Sequence, residues 1–433
     1  MRPLPLVAFL LALLSPAFTR ADTPVVDALA ASGKLGVPIE RARLLESELG
    51  QLFIVNVDGF GWSGPLALEP GFAPMIEQLQ VGGVIPHYGS SDYRKIRRTN
   101  RALAGLTRLP LLVCCDIVRL RSTAGGRALT ASFGDGYVGG FIGRYRALAD
   151  GQFQTLAELN AFIFAALGMN VALGPTVDDS TRDSETETRA RVVVTELRRF
   201  GLEPVLKHFP FLPTGANLHR SSPDTRVPPS AAERRYAIFR DLAGLSPIVM
   251  TTHLDDSLVD DRIVTFSPSW LAVLHAGTGF SGLLMSDGLL MLRNYTDRRM
   301  LGAAPPELAR LDPIAVWAVR AILAGHDFII VEGSAGQTER AFRGALAAAC
   351  SGTALGDELA DRIESSYSRI RTFKLDNEAV LSRQVDVPAS TVDGVIAMTP
   401  RQGADLRTFH FEPASLDAIA PELARADVSE AAP

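Results

Sequence analysis

Cysteine is almost missing from this chain: 433 residues hold three, Cys114, Cys115 and Cys350, none at Cys-x-x-Cys spacing. That excludes a disulfide-stapled scaffold and a thiolate-bound metal cluster. Cys114 and Cys115 stand in an apolar run, where neighbouring side chains leave a strand on opposite sides, so they read as small core residues, with a single bridge from one of them to Cys350 the alternative that stays open. The seven histidines form no HxxH or HxxxH pair and no EF-hand loop occurs, so no metal site is expected. No Walker loop is present, and no cofactor is expected. Excess positive charge is missing too. Lys and Arg number 43 against 48 Asp and Glu, a net charge of −5, so there is no basic field for polyphosphate and nucleic acid is not an expected partner. Beyond residue 24 no apolar run is long enough to span a bilayer.

What the chain does have begins at its start. Arg2 precedes an apolar run from Leu4 to Leu14, and small residues follow near Ala17 and Ala21. This is the layout of a secretory signal peptide, assigned to residues 1–21, and it predicts export to the periplasm or the outside with no membrane span after cleavage.

Eight short apolar runs then follow: Leu52–Val57, Gly82–Pro86, Leu111–Asp116, Val171–Pro175, Pro204–His208, Ile248–His253, Leu283–Asp287 and Asp327–Val331. Amphipathic stretches alternate with them: Tyr93–Leu106, Thr155–Leu167, Thr188–Phe200, Ala231–Leu242, Pro268–His275 and Pro313–Ala324. Strands alternating with helices at this spacing predict the α/β class, here a single (β/α)8 TIM-type barrel over residues 22–374. The stretch Glu358–Phe373 reads as one further helix. Residues 375–433, richer in Pro, Asp and Thr, are assigned to a C-terminal appendage, a surface strap or tail too short for a large core of its own.

In such a barrel the carboxyl ends of the strands carry the site. Asp116, Lys207, His208, His253 and Asp287 all stand at those ends. Asp287 follows the buried run Leu283–Met285 and precedes Gly288, which lets the chain turn just past the carboxylate. A carboxylate so presented can attack an anomeric carbon, although capping a helix is the other use of an Asp after a strand. Lys207 and His208 end another strand and offer a cationic and a neutral donor to hydroxyl groups, or else a salt bridge and a core histidine.

VLKHFP, IVMTTHLDD, TFSPSWL, GFSGLLMSDGL and AGHDFIIV, with VGGVIP and LPLLVCCD before them, occur in an order and spacing that resembles the family 3 glycoside hydrolases, in particular their bacterial β-N-acetylhexosaminidase branch. The resemblance implies a retaining exo-glycosidase that removes terminal β-linked N-acetylglucosamine-type sugars, such as those of peptidoglycan fragments or chitooligosaccharides. It assigns the nucleophile to Asp287, hydroxyl binding to Asp116, Lys207 and His208, and seating of the N-acetyl sugar to Arg182. The family's acid/base loop departs here. Its Gly-His-Gly is replaced by Phe211-Leu212-Pro213, and its Asp-Ser-His by Asn217-Leu218-His219. His219 then inherits proton transfer, with Asn217 to orient it but no carboxylate to favour the imidazolium, unless Asp224 folds back to supply one. After Asp116 the family's Gln-Glu-Gly-Gly-Arg-Val is also absent, and a Gly-Gly-Arg occurs only at Gly125–Arg127, as if displaced by an insertion. These departures keep a second reading open: a barrel that binds envelope glycans or a protein partner without hydrolysing anything.

Overall fold

The structure is a computed structural model, and it describes residues 25–57, 71–86, 93–121, 128–132, 140–177, 183–211, 237–254, 259, 261–294, 303–383 and 387–398. Each of the eight apolar runs contributes a strand. These are β1 (Phe53–Asn56), β2 (Gly83–Ile85), β3 (Leu112–Cys115), β6 (Val171–Ala172), β7 (Glu203–Phe209), β8 (Ile248–Thr251), β9 (Leu283–Gly288) and β10 (Phe328–Val331). They close into a parallel barrel in the order β1-β10-β9-β8-β7-β6-β3-β2. Strands such as FIVN and FIIV are buried at every position because a parallel barrel has side chains inside and helices outside, leaving no wet face.

The pairing also says which side chains face the axis. Phe53 packs edge-on against Phe342 of the outer helix Ala335–Ala349, with ring centroids 5.6 Å apart. Ile54 and Asn56 therefore face inward. Ile54 is in register with Ile330 of β10, so Phe328 and Ile330 belong to the inward set. Glu332 follows directly on the end of β10 and is buried.

Helix boundaries follow local chemistry. Ser267 accepts from Trp270 N with Pro268 at the first helical position, and Gly279, at φ 70°, closes the helix Pro268–Thr278. Asp312 with Pro313 starts the helix Pro313–Ala324 in the same manner. Two helices start five residues before the periodicity alone suggests. Asp150–Ala166 opens on an alanine, with the side chain of Gln152 accepting from Ala149 N, and Asp183–Arg199 opens on Asp183, Glu185 and Glu187, which suit a helix N-terminus. The insertion expected after Asp116 is an antiparallel hairpin, β4 (Ile117–Arg121) with β5 (Ala128–Ser132).

The boundary drawn at residue 374 falls inside a helix, since Ala354–Asp376 carries its periodicity two residues further. Short helices at Glu378–Leu381 and Ala389–Met398 follow, and Leu381, Val387, Val392 and Val395 are buried. Asn170 donates to the carbonyls of Leu111 and Leu381, tying this segment to the start of β3. All three cysteines are buried and free. Among the described residues no helix is long and apolar enough to cross a membrane, and no group of three or more residues could hold a metal ion.

Candidate active site

The site forms where β3, β7, β8, β9 and β10 reach their carboxyl ends. Lys207 Nζ lies 2.8 Å from Asp116 Oδ1, a charge-assisted contact from β7 to the residue after β3. The lysine is almost wholly buried while the Asp116 side chain is 34% exposed, so the pair reaches solvent through the carboxylate. His208 turns its Nε2 toward Asp287 Oδ2, 3.9 Å away. That is beyond hydrogen-bond length but well within Coulombic reach.

Asp287 is held from several sides. Gly288 N donates to its Oδ1 at 2.8 Å, and Ser286 Oγ donates to its carbonyl at 2.8 Å. Burial by itself would push the carboxyl up. His208, then His253 and Lys207, and finally the Gly288 N–H outweigh that burial and hold Asp287 below the usual carboxylate range. The side chain keeps 17% of its surface open, enough for a ligand to reach it.

His253 supports the arrangement from β8. Its Nε2 lies 2.8 Å from the Gly288 carbonyl, which can only accept, so this nitrogen carries the proton. Its Nδ1 lies 2.6 Å from Thr265 Oγ1. The imidazole thereby fixes the turn that aims Asp287. Sequence reasoning marks His253 as a strand-end residue without giving it a part; its part is to brace the backbone at Gly288, next to Asp287.

Glu332 is the residue that sequence reasoning misses. It is 8% exposed and lies at the end of β10. A Cβ placed on Gly288 would fall 1.9 Å from Glu332 Oε2 and 2.1 Å from its Cδ. Only a glycine at 288 lets this carboxyl group lie against the chain next to Asp287. The available signal was the one that marks Asp116 and Asp287: an acidic residue directly after an apolar strand.

Of the residues expected in the site, the structure brings together Asp116, Lys207, His208 and Asp287. Arg182, Asn217 and His219, with Asp224, lie outside the described residues.

This arrangement sits within a match to the family model for the glycosyl hydrolase family 3 N-terminal domain that runs over residues 44–372. The chain belongs to glycosyl hydrolase family 3. Among its relatives, the beta-hexosaminidase of Methylococcus capsulatus is 27% identical over 199 residues, which is 41% of this chain and 54% of that protein. The matched region thus spans about half the length of that relative. Among solved structures, a family 3 β-N-acetylglucosaminidase from a Paenibacillus species superposes with a TM-score of 0.60 at 19% identity, covering 82% of this chain and 68% of that one. The β-N-acetylhexosaminidase of Beutenbergia cavernae gives a TM-score of 0.54 at 21% identity, over 75% of this chain and 98% of that one. At such identities these structures show the shared barrel fold.

Proposed function

We propose that the protein is a retaining exo-glycosidase that hydrolyses terminal β-linked N-acetylglucosamine-type sugars through a covalent glycosyl-enzyme on Asp287. The observation that carries this reading is the setting of Asp287 at the end of β9, where Gly288 N donates to its Oδ1 at 2.8 Å and His208 Nε2 stands 3.9 Å from its Oδ2. Burial pushes the carboxyl up, and these neighbours with His253 and Lys207 outweigh it and favour the carboxylate.

A carboxylate that stays charged in a largely enclosed site is a competent nucleophile toward an anomeric carbon, and its charge stabilises the oxocarbenium-like transition state. Lys207, Asp116 and His208 supply donors and acceptors for ring hydroxyls on one side of it. Arg182 takes the N-acetyl sugar, and His219 with Asn217 is the proton-transfer element that the family resemblance implies. Binding energy from these contacts orients the sugar for in-line attack. Peptidoglycan fragments and chitooligosaccharides present the required sugar, and export under the residue 1–21 signal would bring the protein to the former.

The test is turnover of a chromogenic β-N-acetylglucosaminide. The wild type is expected to release the chromophore, and Asp287→Asn, which keeps shape and loses charge, is expected to lower kcat by about three orders of magnitude or more. A wild type with no detectable turnover but measurable glycan affinity would favour the reading motivated by the altered acid/base loop, a barrel that binds without hydrolysing.

A further inference from the structure

The net charge of −5 conceals an uneven distribution. Between Tyr93 and Cys115 the chain carries six Lys and Arg and no Asp or Glu, which leaves 37 Lys and Arg against 48 Asp and Glu, a balance of −11, for the rest. We propose that the outer face of the helix Tyr93–Ala104 is a docking surface for a bilayer that contains anionic phospholipid. None of its residues belongs to the site around Asp287, so the inference stands or falls apart from the reading of that residue.

Three observations carry it. The first is arrangement. Tyr93, Ile96, Asn100 and Leu103 are buried and seat the helix on the barrel. With about 3.6 residues per turn, Arg94, Lys95 and Arg98 fall within about 100° of arc on the opposite side, and all three are exposed. Arg97 and Arg101 flank them half-buried, and Arg97 Nη1 donates to the Val387 carbonyl at 3.0 Å. Arg108, also exposed, follows just past the helix. No acidic residue stands on the helix to pair with these cations one turn away.

The second observation is composition. Among the described residues the exposed large apolar side chains are Leu44 and Leu375, which belong to two other helices, Ile39–Leu52 and Ala354–Asp376. A protein partner takes a patch with an apolar or aromatic centre and few lysines, and this face offers neither. A flat layer of headgroup phosphates needs no groove and no apolar anchor. Cations clustered along one face of a helix suit it.

The third observation is orientation. The helix lies between β2 and β3 in the chain and returns it from the carboxyl end of one to the start of the other. It therefore runs along the flank of the barrel, with Arg94 and Lys95 toward the mouth. An anionic surface attracts this flank and repels the −11 carried elsewhere, so a single side of the protein faces the bilayer. The mouth then opens along the membrane rather than into it.

The test is co-sedimentation of the full chain with vesicles of phosphatidylcholine alone or with about 30% phosphatidylglycerol. The wild type is expected to bind the anionic vesicles at least about 10-fold more tightly at about 50 mM salt, and to lose that preference at about 500 mM, where charges are screened over a few ångströms. The triple variant Arg94→Glu/Lys95→Glu/Arg98→Glu is expected to bind the anionic vesicles about 10-fold or more weakly, and the corresponding triple glutamine variant to lose less. Lys34→Glu/Arg310→Glu/Arg371→Glu changes the net charge equally at exposed positions elsewhere and is expected to lose much less. Each variant is checked for native melting behaviour, and the glutamine variant carries the comparison if charge reversal unfolds the helix. Equal losses in the two reversal variants would overturn the inference, since net charge and not this face would then set the binding. Binding that is equal on both vesicle types and insensitive to salt would overturn it in favour of the apolar run Leu4–Leu14. Absence of binding to the anionic vesicles also overturns it, and capture by dextran sulfate in that case would give the face to a soluble polyanion.

Discussion

The chemistry of single residues turns on how Asp287 keeps its charge. Enclosure opposes ionisation, and His208 is the largest of the influences that reverse it, acting at 3.9 Å. The sign of its removal follows. Without His208 the Asp287 carboxyl moves up toward its ordinary value, so the acid limb of kcat/KM moves to higher pH. His208→Gln is therefore expected to shift that limb upward, and Lys207→Met to shift it in the same direction by less. A pH profile between 3 and 8 checks both. The folded protein obeys the same rule: because the Asp287 pKa is depressed on folding, its stabilising contribution is present above the ordinary carboxylate range and is lost as pH falls through the folded value.

Among elements, the base of the barrel shows how helix and strand are joined. Lys374, near the end of the helix Ala354–Asp376, is fully buried. It donates to Gln51 Oε1 at 2.8 Å and to the Gly82 carbonyl at 2.7 Å, holding the residues that lead into β1 and β2. Burial pushes its pKa down to about 7, with Cys114 nearby acting weakly the other way. The neutral amine has two N–H bonds for these two acceptors, so the low pKa costs it no partner. Between about pH 7 and the ordinary lysine value near 10.5 the unfolded chain binds a proton that the folded chain does not, so this group makes stability rise with pH in that window. Chemical denaturation of wild type and Lys374→Met across pH 6–10 checks this. The wild type is expected to gain on the variant by up to about 1.4 kcal/mol per pH unit above pH 7, and to hold a constant difference below it.

Much of this element-level architecture was legible in the chain. Eight apolar runs of strand length, each ending near a Gly, Pro or polar residue, became eight barrel strands, because a parallel sheet closed on itself with helices outside buries its strands on both faces. Caps at Ser267 and Asp312 marked helix starts directly. The boundary at Ala149, which has no side-chain cap, left no such mark. Of the candidate site, Asp116, Lys207, His208 and Asp287 were legible as polar residues at or near the ends of apolar strands, and the structure brings them together. Glu332 ends one as well, but its place depends on the missing side chain of Gly288 on the neighbouring strand, a tertiary fact that no local pattern contains. The braces from His253 and Lys374 were hidden for the same reason, since their partners lie 35 and 323 residues away.

For the molecule as a whole, the family 3 barrel brings together groups from strands far apart in sequence, and the function proposed for it requires them to act on one sugar. The central claim is that Asp287 becomes covalently attached to that sugar. The direct measurement is mass spectrometry of the full chain after incubation with a fluorinated N-acetylglucosaminyl donor that forms the glycosyl-enzyme faster than it releases it. The account predicts a mass increase of one glycosyl unit, mapped by peptide fragmentation to Asp287 and absent from Asp287→Asn. Turnover of substrate with no adduct, or an adduct on another residue, would contradict it.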